Sequence, residues 1–350
     1  MRCAHANRNG FELQRRIRRD RRGGRRPRAR RPRHRLRPGS LFVRRSESDR
    51  LHCCQDVARR TRVRHLPALH PDAHADRDDR SRSRLRVGRP LRHGHRRIGP
   101  QVIEGFHGVP YDAPLGRTRE IIEICRKVWR REKVEYQGKY YQLPLPEEKG
   151  TGLGKPLKLI NQPVRERIPV VIASIGPKNV ELTAEIAEGW EPIFYYPEKV
   201  SEVWGDALAK GKAKRDPALG ELQTYVQVAL AIGDDVDHMI DWVRPMLALY
   251  IGGMGAKGKN FYNDLAVRYG FEKEAALIQE LYLDGKKEQA AAAVPEDLVR
   301  AVSLIGPEGY VRERVAAFEE AGATTLNVTP LAGDTAGRVR LIEQMRNICG

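Results

Sequence analysis

The chain has 350 residues, a formal charge of +19 and 40% hydrophobic residues. It holds no run of about 18 apolar residues, which excludes a membrane-spanning helix. Its five cysteines (Cys3, Cys53, Cys54, Cys125, Cys349) show neither metal-ligand spacing nor a disulfide framework, so a reducing, cytoplasmic setting without a metal is expected.

The charge is unevenly placed. Residues 1–98 carry 32 Arg, no Lys, 8 of the 10 His and 9 acidic residues, a balance of +23. Residues 99–350 carry 16 Lys, 16 Arg and 36 acidic residues, a balance of −4, with all 12 Tyr and all 4 Trp. The expected division is therefore an Arg-rich segment, 1–98, and a folded unit, 99–350. A stretch such as Arg15–Arg37 repels itself and has too little apolar area to offset chain entropy, so disorder is expected there. Two origins fit the segment. Clustered Arg suits a nucleic-acid-binding arm. Off-frame reading of a GC-rich gene also yields Arg, Pro, Ala, Gly, His and Ser, and accounts better for the complete absence of Lys.

From Gly99 onward, strands and helices alternate. Pro114–Glu132 places Ile121, Ile122, Ile124, Cys125, Val128 and Trp129 on one helical stripe, with Pro where its missing N–H costs nothing. Val134–Leu143 reads as a hairpin around Gly138, and Pro144–Arg167 as a Gly/Pro-rich loop. Ile168–Ser174 is a buried-strand run, and Gly176-Pro177-Lys178 opens a helix over Asn179–Glu188. Trp190–Tyr195 is the next strand and Glu198–Lys214 the next helix. Thr224–Ile232 is a third strand, followed by a helix from Asp234. Residues 242–292 read as helical around a flexible Gly252–Gly258 break. A helix over Pro307–Ala321, a strand over Ala323–Thr329 and a helix over Asp334–Ile348 close the chain.

Four strands each followed by a helix make half of a parallel α/β architecture. The expectation is a (β/α)8 TIM barrel with only its C-terminal half represented, strands five to eight. An open half would expose two sheet edges and the inner apolar face. At roughly 30 residues per βα unit, the Arg-rich segment has the length of the missing units. A doubly wound open sheet is the structural alternative, weakened by the absence of a Gly-x-Gly-x-x-Gly turn after a strand.

Three stretches resemble the luciferase-like (bacterial luciferase superfamily) F420-dependent oxidoreductases. Gly99-Pro100-Gln101-Val102-Ile103-Glu104-Gly105-Phe106-His107-Gly108 is similar to the loop after that family's fourth strand. Ile172–Lys178 with Ala187-Glu188-Gly189-Trp190 is similar to its fifth βα unit. Gly306-Pro307-Glu308 through Leu326 is similar to its last helix and strand. The resemblance spans about residues 99–350 and does not extend into residues 1–98.

A strand ending at Gly176 with a helix starting at Pro177 is a ready anion site, since the first helical N–H groups face the strand end. A tight βα turn without a ligand has the same sequence. With the resemblance, Gly99, Pro100, Gln101, Ala173, Ser174, Ile175, Gly176, Pro177 and Lys178 are the expected cofactor-binding residues. The resemblance implies hydride transfer between coenzyme F420 and a small organic substrate. It suggests His107 as a catalytic acid, although a solvent-facing loop histidine fits equally. Asn327 and Thr329 end the last strand, where barrels place active-site groups, and are expected on the substrate side. His238, near Asp234 and Asp237, is assigned no role. An FMN-dependent monooxygenase using molecular oxygen, a nucleic-acid-associated protein acting through residues 1–98, and an inactive frameshifted fragment are the alternatives. A small-molecule substrate is the expected partner, with no membrane contact; a homodimer is left open. A chain lacking the first βα units is expected to be a poor enzyme or none, aggregating and retaining neither F420 nor FMN, because barrel active sites draw on the ends of several strands and half the core would be lost.

Overall fold

The computed structural model describes residues 2–3, 93–96, 100–163, 165 and 167–349. The expectations of disorder and of a displaced frame in residues 1–98 lie almost wholly outside the described residues. The two short pieces that are described there, β1 (Arg2–Cys3) and β2 (His93–Arg96), are strands.

A parallel sheet organises the protein. Strands β5 (Val170–Ala173), β6 (Gly189–Trp190), β7 (Gln223–Ile232) and β9 (Thr325–Pro330) lie side by side and parallel, as expected from the sequence. β2 pairs in parallel beyond β5, and β1 beyond β9. The sheet order is β1-β9-β7-β6-β5-β2, with β8 (Leu304–Gly306) paired to the end of β7. The sequence reading passed over β8. Three residues are too few to show a period, although all three are buried.

β6 is shorter than the predicted Trp190–Tyr195. Phe194 takes a left-handed conformation with φ 51° and breaks the extended run. Its carbonyl accepts from the Tyr269 hydroxyl at 2.7 Å, and its ring meets those of Tyr250 and Tyr262 edge-on. Gly99–Gly108, expected as a loop, is in its described part a helix, α1 (Pro100–His107). Pro100 suits a first helical position, Val102 and Ile103 are half-buried, and Gly108 at φ 59° ends the helix.

Helix α2 (Pro114–Trp129) buries Ile122, Ile124, Cys125, Val128 and Trp129, most of the predicted stripe. It also carries a residue that hydropathy does not single out. The Glu120 carboxylate, 8% exposed, accepts the backbone N–H groups of Lys139, Tyr140 and Tyr141 at 2.8–3.2 Å. That carboxylate ties the antiparallel hairpin of β3 (Tyr136–Gln137) and β4 (Gln142–Leu143) to α2. Replacing Glu120 by Ala strands three donors and is expected to cost about 2–3 kcal/mol. Urea midpoints and limited proteolysis at 136–143 check this; an unchanged midpoint would mean that the hairpin does not depend on the carboxylate.

Helices α3 (Pro177–Ile186) and α4 (Val200–Ala213) follow β5 and β6. Between β7 and β8 stands a helical insertion: α5 (Ile240–Ala248), a wide turn at Leu249–Gly253, α6 (Phe261–Arg268), α7 (Glu272–Leu283), α8 (Lys287–Ala292) and α9 (Glu296–Ala301). The predicted flexible break at Gly252 is held in place by Asn260. Its side chain accepts from Tyr262 and donates to the carbonyls of Tyr250 and Ile251. Helices α10 (Glu308–Glu320) and α11 (Thr335–Cys349) complete the layer.

The larger core gathers Trp190, Tyr195, Trp204, Leu230, Leu298 and Phe318; a smaller one joins α2, α3 and β5. Glu188 links the smaller core to the sheet, accepting from the Val170 N–H at 2.8 Å and pairing with Arg126 and Arg167. Among the described residues no helix is long and apolar enough to cross a membrane.

Candidate functional site

β5 is buried through Ile172 and then gives way to the turn Ser174-Ile175-Gly176, which leads into α3. Gly176 is extended (φ −70°, ψ 140°), and Pro177 brings no N–H to the first turn. The Gly176 carbonyl accepts the N–H groups of Asn179 and Val180, each at 2.9 Å. The Lys178 N–H has no acceptor among the described residues, as expected at a helix start. The positive end of the helix dipole therefore stands at the end of β5. A Cβ placed on Gly176 would meet no atom of the described residues within 4 Å, so there is room beside the turn at this position.

Ser174 faces inward, at 5% exposure. Its hydroxyl lies 2.8 Å from that of Thr183, which donates to the Asn179 carbonyl. The Thr183 proton being used, Ser174 is the donor of that pair. Its side chain thus has no proton left for an anion, and any contribution of Ser174 to binding comes from the backbone. Two buried indoles complete the turn: Trp190 Nε1 donates to the Ser174 carbonyl and Trp204 Nε1 to the Ile175 carbonyl, each at 2.9 Å.

The other predicted residues lie in several places. Gly99 lies outside the described residues. Pro100 and Gln101 start α1 shortly after β2, whose last residue, Arg96, is the register partner of Ala173, so they follow the strand end next to the turn. Gln101 is exposed. His107 closes α1, a helix about 12 Å long, and is exposed at its far end rather than on a loop above the strands. Glu104 accepts the Tyr111 N–H at 3.2 Å, outside the helix start at Pro114. Lys178 lines an outer groove between helices with Arg119, Glu181, Glu185 and Lys214. There Lys214, through a hydrogen bond, and the charges of Lys210 and Lys178 hold the Glu181 carboxyl below its usual range.

Asn327 and Thr329 lie on β9 opposite Gln227 and Ala229 of β7. Alternate residues of β9 grade from buried Thr325 through half-buried Asn327 to exposed Thr329. Two residues missed from the sequence join this row. Gln227, exposed between buried Val226 and Val228 of β7, donates to Glu191 at 2.5 Å. A polar row of Glu191, Gln227 and Asn327 thus crosses the sheet. The signal for it was the Gln set between two valines in the predicted Thr224–Ile232 strand.

A parallel sheet with helices between its strands and a strand-to-helix turn at the end of β5 define the protein as a parallel α/β fold. The chain belongs to the luciferase-like monooxygenase family, which it matches over residues 97–325, and so to a family of oxidoreductases. It is 41% identical over 235 residues to a Mycobacterium tuberculosis protein provisionally named a coenzyme F420-dependent oxidoreductase, covering 66% of this chain and 67% of that one. It is 24% identical over 251 residues to the 5,10-methylenetetrahydromethanopterin reductase of Archaeoglobus fulgidus, covering 70% and 69%. Its fold is similar to that of the coenzyme F420-dependent tetrahydromethanopterin reductase of Methanopyrus kandleri, with TM-score 0.55 at 20% identity over 72% of this chain and 71% of that one.

Proposed function

We propose that residues 99–350 belong to an oxidoreductase that transfers a hydride between coenzyme F420 and a small organic substrate, and that the Ser174–Lys178 turn holds the cofactor's phosphate. The observation that carries this reading is the open, dipole-facing turn at the end of β5 in a chain 41% identical to the mycobacterial relative named for F420. β5, β6, β7 and β9 would supply the second half of a (β/α)8 barrel wall, with β8 beside it off the main strand order, and β2 takes the sheet position expected of a fourth strand.

The residues present fit an anionic, hydroxyl-bearing cofactor. The turn offers backbone donors and space, and the buried Asn179 side-chain oxygen on the same helical turn has no hydrogen-bond partner among the described residues. When bound, F420 supplies two-electron hydride chemistry. The protein's part is to hold the phosphate at Ile175–Lys178, to place Pro100 and Gln101 beside the neighbouring strand end, and to present Asn327 and Thr329 toward the substrate. His107 is assigned no proton transfer, because its helix carries it away from this cluster.

Binding is the appropriate test, since it depends on this turn more than turnover does. The turn and the groups that hold it are assembled within residues 170–204. Against the loss of cofactor expected from the sequence, titrating the full chain with F420, followed by deazaflavin fluorescence, is therefore expected to give saturable binding in the micromolar range. Binding of FMN in its place would move the reading to the oxygen-using branch. Retention of neither would overturn it. Translating the coding DNA over residues 1–98 in the other two frames tests the barrel reading separately: alternating strand and helix patterns are expected in one of them.

A further inference from the structure

We infer that Trp190 and Trp204 are positioning residues of the cofactor turn, aiming two backbone N–H groups at the phosphate; the inference rests on the reading given under Proposed function. Their indole N–H groups grip consecutive carbonyls, those of Ser174 and Ile175, at 2.9 Å each. A trans peptide is planar, with its N–H opposed to its C=O. Fixing the Ser174 carbonyl therefore fixes the Ile175 N–H, and fixing the Ile175 carbonyl fixes the Gly176 N–H. Both donors point away from the indoles, which are 1% and 0% exposed.

The two tryptophans come from different elements, β6 and α4, and brace one another. Their rings meet edge-to-face at 5.2 Å and 83°. Tyr195 stacks on Trp204 at 6.2 Å, and Tyr269 meets it edge-on at 6.2 Å. Neither indole can swing without disturbing this aromatic group, so the carbonyls have fixed partners before any ligand arrives. Preorganised donors of this kind spare a ligand the cost of ordering them. Core packing alone would require neither indole nitrogen: phenylalanine fills most of the same space without the donor.

The test compares the full-length protein with Trp190→Phe, Trp204→Phe and, as a control in the other core, Trp129→Phe. Three quantities are read: affinity for F420, affinity for the deazaflavin chromophore lacking the phosphate tail, and amide hydrogen exchange over residues 174–180. Each of the two positioning variants is expected to weaken F420 binding about five- to tenfold, the effect of one lost hydrogen bond. Affinity for the tail-less chromophore should stay within about twofold, and exchange at 175–178 should quicken, while Trp129→Phe should change neither F420 affinity nor that exchange. Equal losses for F420 and chromophore, matching losses in Trp129→Phe, or unchanged exchange at the turn would overturn the positioning role. Failure of the unsubstituted protein to bind F420 would instead overturn the functional reading, and the exchange comparison would still decide whether the indoles order the turn.

Discussion

A Gly176→Asp protein is expected to bind F420 about 10- to 100-fold more weakly while melting no lower than the original. These two effects rarely travel together, and the geometry of the turn separates them. Gly176 is extended at φ −70°, ψ 140°, a conformation open to any residue, and a Cβ there meets nothing within 4 Å. An aspartate at this N-cap position accepts from the first helical N–H groups and is expected to stabilise α3 by a few tenths of a kcal/mol over glycine. The same carboxylate would occupy the place proposed for the phosphate. At ~4 Å, two like charges near a protein surface repel by about 4 kcal/mol at an effective dielectric constant of 20, and salt reduces this at an open turn. Gly176→Ala is the uncharged control: it should retain the affinity while losing about 0.5–1 kcal/mol of stability, since alanine caps a helix less well than glycine. Fluorescence titration and thermal melting read both outcomes. An Asp variant that binds F420 as tightly as the original would place the phosphate elsewhere.

Gly211→Leu is expected to prevent folding, and Gly211→Ala to cost about 2–3 kcal/mol despite the gain of about 1 kcal/mol in helix propensity. Gly211 lies where α4 crosses α3. A Cβ there would stand 2.2 Å from the Glu181 carbonyl oxygen and 2.6 Å from the Ala184 Cβ. The nearest obstacle is helix backbone, which cannot turn aside as a flexible side chain would, so the helices must separate. Separation pulls Trp204, on α4, away from the Ile175 carbonyl and opens the core around Trp190, Tyr195 and Phe318. Against a total stability of about 5–15 kcal/mol, a leucine at this crossing exceeds what the domain tolerates. Soluble yield and urea midpoints measure the effect. A Leu variant with an unchanged midpoint would show that the crossing is looser than this spacing implies.

Local pattern was sufficient for much of the architecture. β5, β7 and β9 are apolar runs bounded by turn residues, and the positions of α2, α3, α4, α10 and α11 follow from Pro starts and 3.6-residue spacing. The parallel pairing of those strands follows from the helices between them, since a parallel pair needs a crossover. The Gly-Pro turn after β5 was legible for the same reason: the end of an apolar strand and the first position of a helix are both local features. The charge imbalance between residues 1–98 and 99–350 is likewise a property of composition alone.

Short elements and partnerships distant in sequence were decided by the tertiary structure. β8 exists because three apolar residues find the end of β7, not because they form a periodic pattern. α1 forms where the resemblance implied a loop, with Val102 and Ile103 half-buried and Gly108 serving as its end. Glu120 reads as an ordinary helix-surface glutamate until the chain brings the 139–141 backbone to it, about 20 residues on. Trp190 and Trp204 read as core aromatics; only folding sets their nitrogens against carbonyls 16 and 29 residues earlier. Residue type specifies which groups must be buried or bonded. Which donor meets which acceptor depends on how β6 and α4 pack over the end of β5, and no local period in the chain encodes that geometry.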